Sequence, residues 1–317
     1  MLLKKIKDKG FLGTLLAVLD RLGIFVKTPF LRLAQYNSLE KSGFTVVFIH
    51  EGSTAIKLPR VSPFNCVFGS GTIFERNVVY ATRPSAEALL RKTIFEMYES
   101  EYINPALSIV DIGSWISDNA VVWAQYLSSG GCVYAIDPSP ENLSYGKILA
   151  ELNNVENIKW IEAVCSEKVG IELDFDGSID HAKFKTASSG SHIKSLTIDK
   201  IMEQANAAVG LLHVDVEGFE LSVLKGASGV IARDMPVILF EQHISEEDFR
   251  LVSKYLKSLD YRVFMINEVL SGCKLDCRNF LAFPSQKGVP KLKKFEQSDG
   301  GQRGIYSAVI GNAIIEV

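Results

Sequence analysis

From Leu107 onward the chain alternates short apolar runs with amphipathic segments, and this rhythm constrains the fold more than any other feature. Buried strands separated by helices are the signature of βαβ units around a parallel sheet. The spacing predicts strands at Ser108–Ile112, Cys132–Ile136, Ile158–Val164, Leu211–Val216 and Pro236–Phe240. Helices are expected at Asn119–Leu127, Pro140–Leu152, Asp199–Gln204, Phe219–Lys225 and Ser245–Leu259. Pro140 suits a first helical turn, where no N–H is needed. Ser245, three residues before Asp248, loosely imitates a capping box. Gly170–Phe175 reads as a short extra strand. Tyr261–Ile266 and Asn279–Phe283 follow as strands with only a turn-rich loop between them, so they should be antiparallel. The expected architecture is α/β: a seven-stranded, mostly parallel sheet with one antiparallel strand.

The rest of the chain is less regular. Residues 1–100 show helical spacing at 11–24 and Ser85–Tyr98, and strand-like runs at Thr45–Ile49 and Asn77–Tyr80. They are expected to form an α+β N-terminal extension and a candidate substrate cap. Residues 101–284 form the cofactor-binding domain in this division. Residues 285–317 form a tail, with an SDGGQRG turn and an apolar run at Ile305–Ile315, that adds an edge strand or packs on a partner. Lys4, Lys5, Lys7 and Lys9 precede an apolar run from Phe11 to Leu19, as in a signal peptide, but Asp20 and Arg21 end the run without a cleavage site. That run is too short to span a bilayer, which takes about 20 residues. The segment is expected to pack on the domain, with peripheral contact to a membrane surface as the alternative.

Five scattered cysteines make a disulfide framework unexpected and fit a reducing, cytoplasmic location. Cys273 and Cys277 read as two thiols flanking a turn, because no further zinc ligands follow at suitable spacing. With 34 basic and 37 acidic residues the net charge is −3, so no nucleic-acid partner is expected. Oligomeric state has no signature in the sequence.

Ligands of open α/β sheets bind beyond the carboxyl ends of the strands, at the switch point. The first such loop is VDIGSWISDNA, Val110 to Ala120, with Asp111 at the strand end and Gly113 opening the turn. The second strand ends in YAIDPSPEN. Asp137 there can accept hydrogen bonds from both ribose hydroxyls of an adenosine cofactor. The alternative is that it caps the helix after Pro138. A dinucleotide needs G-x-G-x-x-G, but Trp115 and Asp118 stand where the second and third glycines belong. An anionic loop suits S-adenosylmethionine, which has no diphosphate and carries a positive sulfonium.

The strongest local signal is LLHVDVEGFELSVLKGA, Leu211 to Ala227. Asp215 and Glu217 are two apart and share a face if the strand end is extended. Gly218 permits the turn, and Glu220 reads as a surface residue in the first turn of a helix. Two carboxylates at the mouth of a buried strand are costly unless partnered. The fifth strand ends in FEQH, which brings Glu241 and His243 to the same edge. Such a cluster could take a proton from a substrate hydroxyl, with His243 the natural neutral-pH base. Or it could hold a hard divalent cation through oxygen ligands, acidifying that hydroxyl.

Taken in order, VDIGSWISDNA, YAIDPSPENL, IEAVCSEKVG, SLTIDKI, HVDVEGFELSVLKGA and VILFEQH resemble the FkbM family of S-adenosylmethionine-dependent methyltransferases, from about Val110 to Pro284. The resemblance implies a Rossmann-like class I methyltransferase fold and methyl transfer, commonly to hydroxyl oxygens of sugars, glycans or natural products. It implies that Asp111, Gly113 and Ser114 line the methionine part of the cofactor. Asp137, with Asn142 nearby, would hold the ribose, and Glu162 and Ala163 would face the adenine. Asp215 would sit beside the reacting methyl, with Glu217 behind it. Three positions differ from the family pattern: Ser117 replaces a second glycine, His213 a lysine, and Trp115 a small residue.

Two other classes share parts of this pattern. A nicotinamide-dependent oxidoreductase would use the ribose carboxylate but lacks its glycines here. A non-catalytic binding module could keep the cofactor fold without needing Asp215, Glu217, Glu241 and His243 together. The acceptor site is expected from residues 60–100 and from the Ser-, Gly- and Lys-rich loop 176–195, where Lys183, Lys185 and Lys194 read as solvated.

Overall fold

Two antiparallel hairpins open the described part of the chain. Thr45–His50 (β1) pairs with Ser53–Lys57 (β2), and Gly71–Ile73 (β3) with Val79–Ala81 (β4). They belong to one compact unit, residues 1–57 and 71–81, and the rest of the chain forms a second. The computed structural model describes residues 45–50, 53–57, 71–73, 79–81, 88–115, 117–152, 155–175, 184–186, 192–244, 249–267, 277–294 and 312–317. The helical spacing at 11–24, the basic N-terminal segment, the Ser245–Asp248 cap, Cys66, Cys273, Lys183 and the SDGGQRG turn lie outside these residues.

In the second unit Ala88–Glu99 (α1) precedes the first central strand, Ser108–Ile112 (β5), which is buried at every position. Asp118–Trp123 (α2) leads to Val133–Asp137 (β6), and Pro140–Leu152 (α3) to Ile158–Glu162 (β7). Glu172–Phe175 (β8), Phe184–Thr186 (β9) and His192–Lys194 (β10) form a separate three-stranded antiparallel sheet, so the region read as a loop carries two strands. Ile198–Ala205 (α4) feeds Val209–Val214 (β11), which is followed by Glu220–Lys225 (α5) and Ser228–Asp234 (α6). Val237–His243 (β12), Phe249–Ser258 (α7), Tyr261–Ile266 (β13), Cys277–Pro284 (β14) and Ile314–Glu316 (β15) complete the unit.

The main sheet runs β15-β13-β14-β12-β11-β5-β6-β7. Strands β7, β6, β5, β11 and β12 are mutually parallel, and β14 runs antiparallel to both β12 and β13. The sheet has eight strands rather than seven, because the tail supplies β15, antiparallel to β13. Two strands are therefore reversed. The chain moves outward from β5 to β7 and then returns to β11 on the other side of β5. The crevice above β5 and β11 is the switch point, where open α/β sheets bind ligands.

Strand alternation sorts the core. Val110, Ile112, Leu212, Val214, Ile238 and Phe240 pack against α4, α5, α6 and α7. Ile109, Asp111, Leu211 and His213 point to the other face, where Trp123 of α2 is fully buried. Helix α6 was not expected from the sequence. Its first N–H groups, on Gly229 and Val230, both donate to the Asp199 carboxylate at 2.8 Å. The capping side chain lies far away in sequence, so no local start signal exists. Helix α2 stops at Trp123, short of the expected Leu127, and finishes as a 3₁₀ turn, Ala124–Tyr126. Among the described residues no helix is long and apolar enough to cross a membrane.

Candidate active site

The tips of β5, β6, β11 and β12 carry the ionisable side chains. After β5 the chain turns through Gly113 (φ 76°), Trp115 (φ 48°) and Ser117 (φ 61°), all left-handed. Glycine is favoured in that region, yet Trp115 and Ser117 adopt it here. Ser117 donates its hydroxyl to Ser114 at 3.2 Å. Ser114 is itself buried, and its N–H, like that of Gly113, reaches the Ile136 carbonyl of β6.

Asp137 ties this loop to the next one. Its Oδ2 accepts the Trp115 N–H at 3.0 Å, and its Oδ1 accepts Ser139 N–H at 2.9 Å and Asn142 Nδ2 at 3.1 Å. The helix cap weighed as the alternative role of Asp137 falls to Ser139, whose hydroxyl accepts the Asn142 N–H. Burial pushes the Asp137 carboxyl up to about 6, against the pull of its three N–H donors, and Asp111 adds to the rise. Glu162 ends β7 directly opposite Asp137 and is exposed, while Ala163 beside it is buried.

Asp111 points into the layer under α2, where its Oδ1 lies 2.6 Å from His213 Nδ1. The two residues face each other in the β5–β11 register, and the Trp123 ring packs edge-on against the imidazole at 5.0 Å. His213 is thus the partner of the first-loop carboxylate. Only the pairing register reveals this, since the two lie 102 positions apart.

Glu217 does not extend β11. The strand ends at Val214, and Glu217 (φ 50°) and Gly218 (φ 102°) form a left-handed turn. Asp215, Glu217, Gly218, Glu220, Glu241, Gln242 and His243 nonetheless line one cleft. Glu220, read as a surface residue, is buried, and its Oε1 accepts the Gly218 and Val216 N–H groups at 3.0 and 3.3 Å. Burial raises its carboxyl. Asp215 is held well above the ordinary range, first by burial and then by Glu241, with Glu217 and Glu220 adding to the rise and His213 opposing it.

His243 is gripped from two sides. Its Nε2 lies 3.3 Å from Glu217 Oε2, and its Nδ1 lies 3.8 Å from Cys277 Sγ. The segment between Cys273 and Cys277 lies outside the described residues, and Cys277 opens β14. It is a fully buried residue of β14, directly opposite His243, and its thiol donates to Glu241 Oε1 at 2.8 Å. Nothing in the local sequence marks it, because antiparallel insertion of β14 brings it there.

An adenosine cofactor with an amino-acid end fits the chemistry of the first two strand tips. Among the described residues, Asp111 Oδ2, Asn142 Oδ1 and Trp115 Nε1 are buried polar atoms without hydrogen-bond partners. Two acceptors and one donor match a ligand that carries an ammonium, ribose hydroxyls and a base.

A doubly wound sheet with carboxylates at its switch point is the arrangement at which open α/β sheets bind their ligands. Residues 111–263 match the family model described as the Methyltransferase FkbM domain. Among solved structures it is similar to methyltransferase FkbM from Methylobacillus flagellatus KT, at 20% identity and TM-score 0.44, over 56% of this chain and 44% of that one. The chain therefore spans less than half the length of that relative. It is also similar to an rRNA methylase from Streptococcus thermophilus, at 16% identity and TM-score 0.40, over 62% of this chain and 95% of that one. A ribosomal protein L11 methylase from Lactobacillus delbrueckii subsp. bulgaricus matches at 12% identity and TM-score 0.38, over 75% and 98%. A search of curated proteins returned no match.

Proposed function

We propose that this chain transfers a methyl group from S-adenosylmethionine to a hydroxyl oxygen of a sugar, glycan or natural product. The observation that carries the reading is the crowding of Asp215 by Glu217, Glu220 and Glu241 beside the loop of Gly113. A carboxylate raised by burial and like charge takes up a proton more readily than an ordinary one, as a general base must. Asp215 is the general base in this proposal, and Glu241 tunes it. His243 suits the role less, because both of its ring nitrogens face protein groups.

The cofactor supplies an electrophilic methyl on a positively charged sulfur. Asp111, Gly113 and Ser114 would hold its methionine end, Asp137 and Asn142 its ribose, and Glu162 and Ala163 its adenine. The protein's main task is alignment of acceptor oxygen, methyl and sulfur, which can supply roughly 7–11 kcal/mol. The match of residues 111–263 to a methyltransferase domain supports the reaction class. We assign the catalytic domain to residues 101–284.

The test is transfer of labelled methyl from S-adenosylmethionine into pools of hydroxyl-bearing glycans and metabolites. Label in an ether methyl that disappears in Asp215→Asn is expected. Cofactor binding without transfer to any oxygen would refute the acceptor class.

A further inference from the structure

We propose that Glu241, His243 and Cys277 form a site for a borderline-soft divalent cation such as zinc. One ligand atom from each lies within 4.8 Å of the others, and among the described residues this is the group whose donors converge in this way. The sheet dictates the arrangement. Glu241 and His243 are two apart on β12 and share a face, and Cys277 is the cross-strand neighbour of His243. Tetrahedral bonds to sulfur and nitrogen would hold those atoms about 3.6 Å apart, close to the 3.8 Å between Cys277 Sγ and His243 Nδ1. The Glu241–Cys277 contact of 2.8 Å would open as the thiol proton is released to solvent and a cation takes its place.

A second observation points the same way. A metal-binding imidazole almost always gives its other N–H to a carboxylate or carbonyl, which fixes the ring. His243 turns Nδ1 toward Cys277 and Nε2 toward Glu217 Oε2. Glu217, held in its left-handed turn, is then the positioning residue for the imidazole. The donor set is also selective. A thiolate and an imidazole favour zinc, cobalt or iron over magnesium or calcium, so the cation differs from the hard, oxygen-bound one expected from the sequence. Three protein ligands leave a fourth position open, as catalytic zinc sites do. Glu241 and His243 also line the cleft of Asp215. Binding of the cation stands by itself. Its role, acidifying the acceptor hydroxyl before Asp215 takes the proton, rests on the methyl-transfer reading.

Chelator-treated full-length protein is titrated with cobalt(II) in the absence of cofactor and acceptor. We expect about one equivalent to bind, with a near-ultraviolet thiolate-to-cobalt charge-transfer band that zinc abolishes by displacement. Cys277→Ser should remove the band, and Cys273→Ser should keep it. Glu217→Gln should keep the band and weaken zinc by at least about tenfold. Circular dichroism and cofactor-binding heat report whether each variant is folded. If Cys277→Ser fails to fold, His243→Ala must lose the band instead. Absence of the band in folded wild-type protein, or its survival in either variant, overturns the site. Failure of methyl transfer with the band intact overturns only the acceptor reading.

Discussion

Replacing Gly113 by alanine probes the contact that joins the first loop to the fourth strand tip. A Cβ at position 113 would overlap the Asp215 carbonyl oxygen, lie 2.8 Å from its carbon and press on Val216 Cγ1 at 3.3 Å. The obstacle is backbone, anchored by the Asp215 N–H on the Ile112 carbonyl at 3.0 Å, so no side chain can swing aside. The left-handed backbone (φ 76°) adds a cost of about 1–2 kcal/mol for a residue with a Cβ. Relief of the overlap by shifting backbone costs roughly 1–3 kcal/mol more. The sum, roughly 2–5 kcal/mol, is smaller than the usual stability of a domain, so the variant should fold. Its cofactor affinity should fall more than tenfold, because Asp215 and the loop both move. Gly130→Ala is the control: φ is 110° there, but nothing lies within 4 Å, so only the conformational cost applies. Urea titration and calorimetry with S-adenosylmethionine separate the two effects. If Gly113→Ala is no less stable than Gly130→Ala and binds cofactor as the wild type does, the proposed contact does not shape the site.

Three further outcomes follow from the buried charges. Asp137 is raised by burial from 3.8 to about 6, so the cofactor-free protein should be stabilised by protonation. That contribution, at most about 3 kcal/mol, is complete below pH 4 and lost as pH rises through 6. Ribose hydroxyls donate to the carboxylate form, so cofactor affinity should rise over the same interval, and a flat calorimetric profile between pH 5 and 7.5 would contradict the ribose role. Asp215→Asn should cut the methyl-transfer rate by roughly 10²–10⁴-fold, as loss of a general base does. It should also raise the denaturation midpoint by relieving repulsion from Glu241, and a fall in that midpoint counts against the crowding argument. His213→Ala leaves Asp111 buried without its partner and should cost about 3–5 kcal/mol in urea unfolding. A loss under 1 kcal/mol would mean that Asp111 is satisfied elsewhere.

Much of this was legible in the residues because it is local. Short apolar runs marked β5 at Ser108–Ile112 and β13 at Tyr261–Ile266, and helical spacing marked α3 at Pro140–Leu152. Acidic residues at strand ends located the edge where Asp111, Asp137, Asp215 and Glu241 gather, because strand ends in a βαβ chain all open on one side. What the sequence could not supply depends on which strand lies beside which. The register of β5 on β11 makes Asp111 and His213 a pair, and the reversed insertion of β14 places Cys277 against His243 and Glu241. Asp199 caps a helix 30 residues away, and Glu220 is drawn inward to the N–H groups of its own turn. Apart from the Glu220 turn, these contacts join residues 30 or more positions apart, so only the folded sheet and its helices could bring them together.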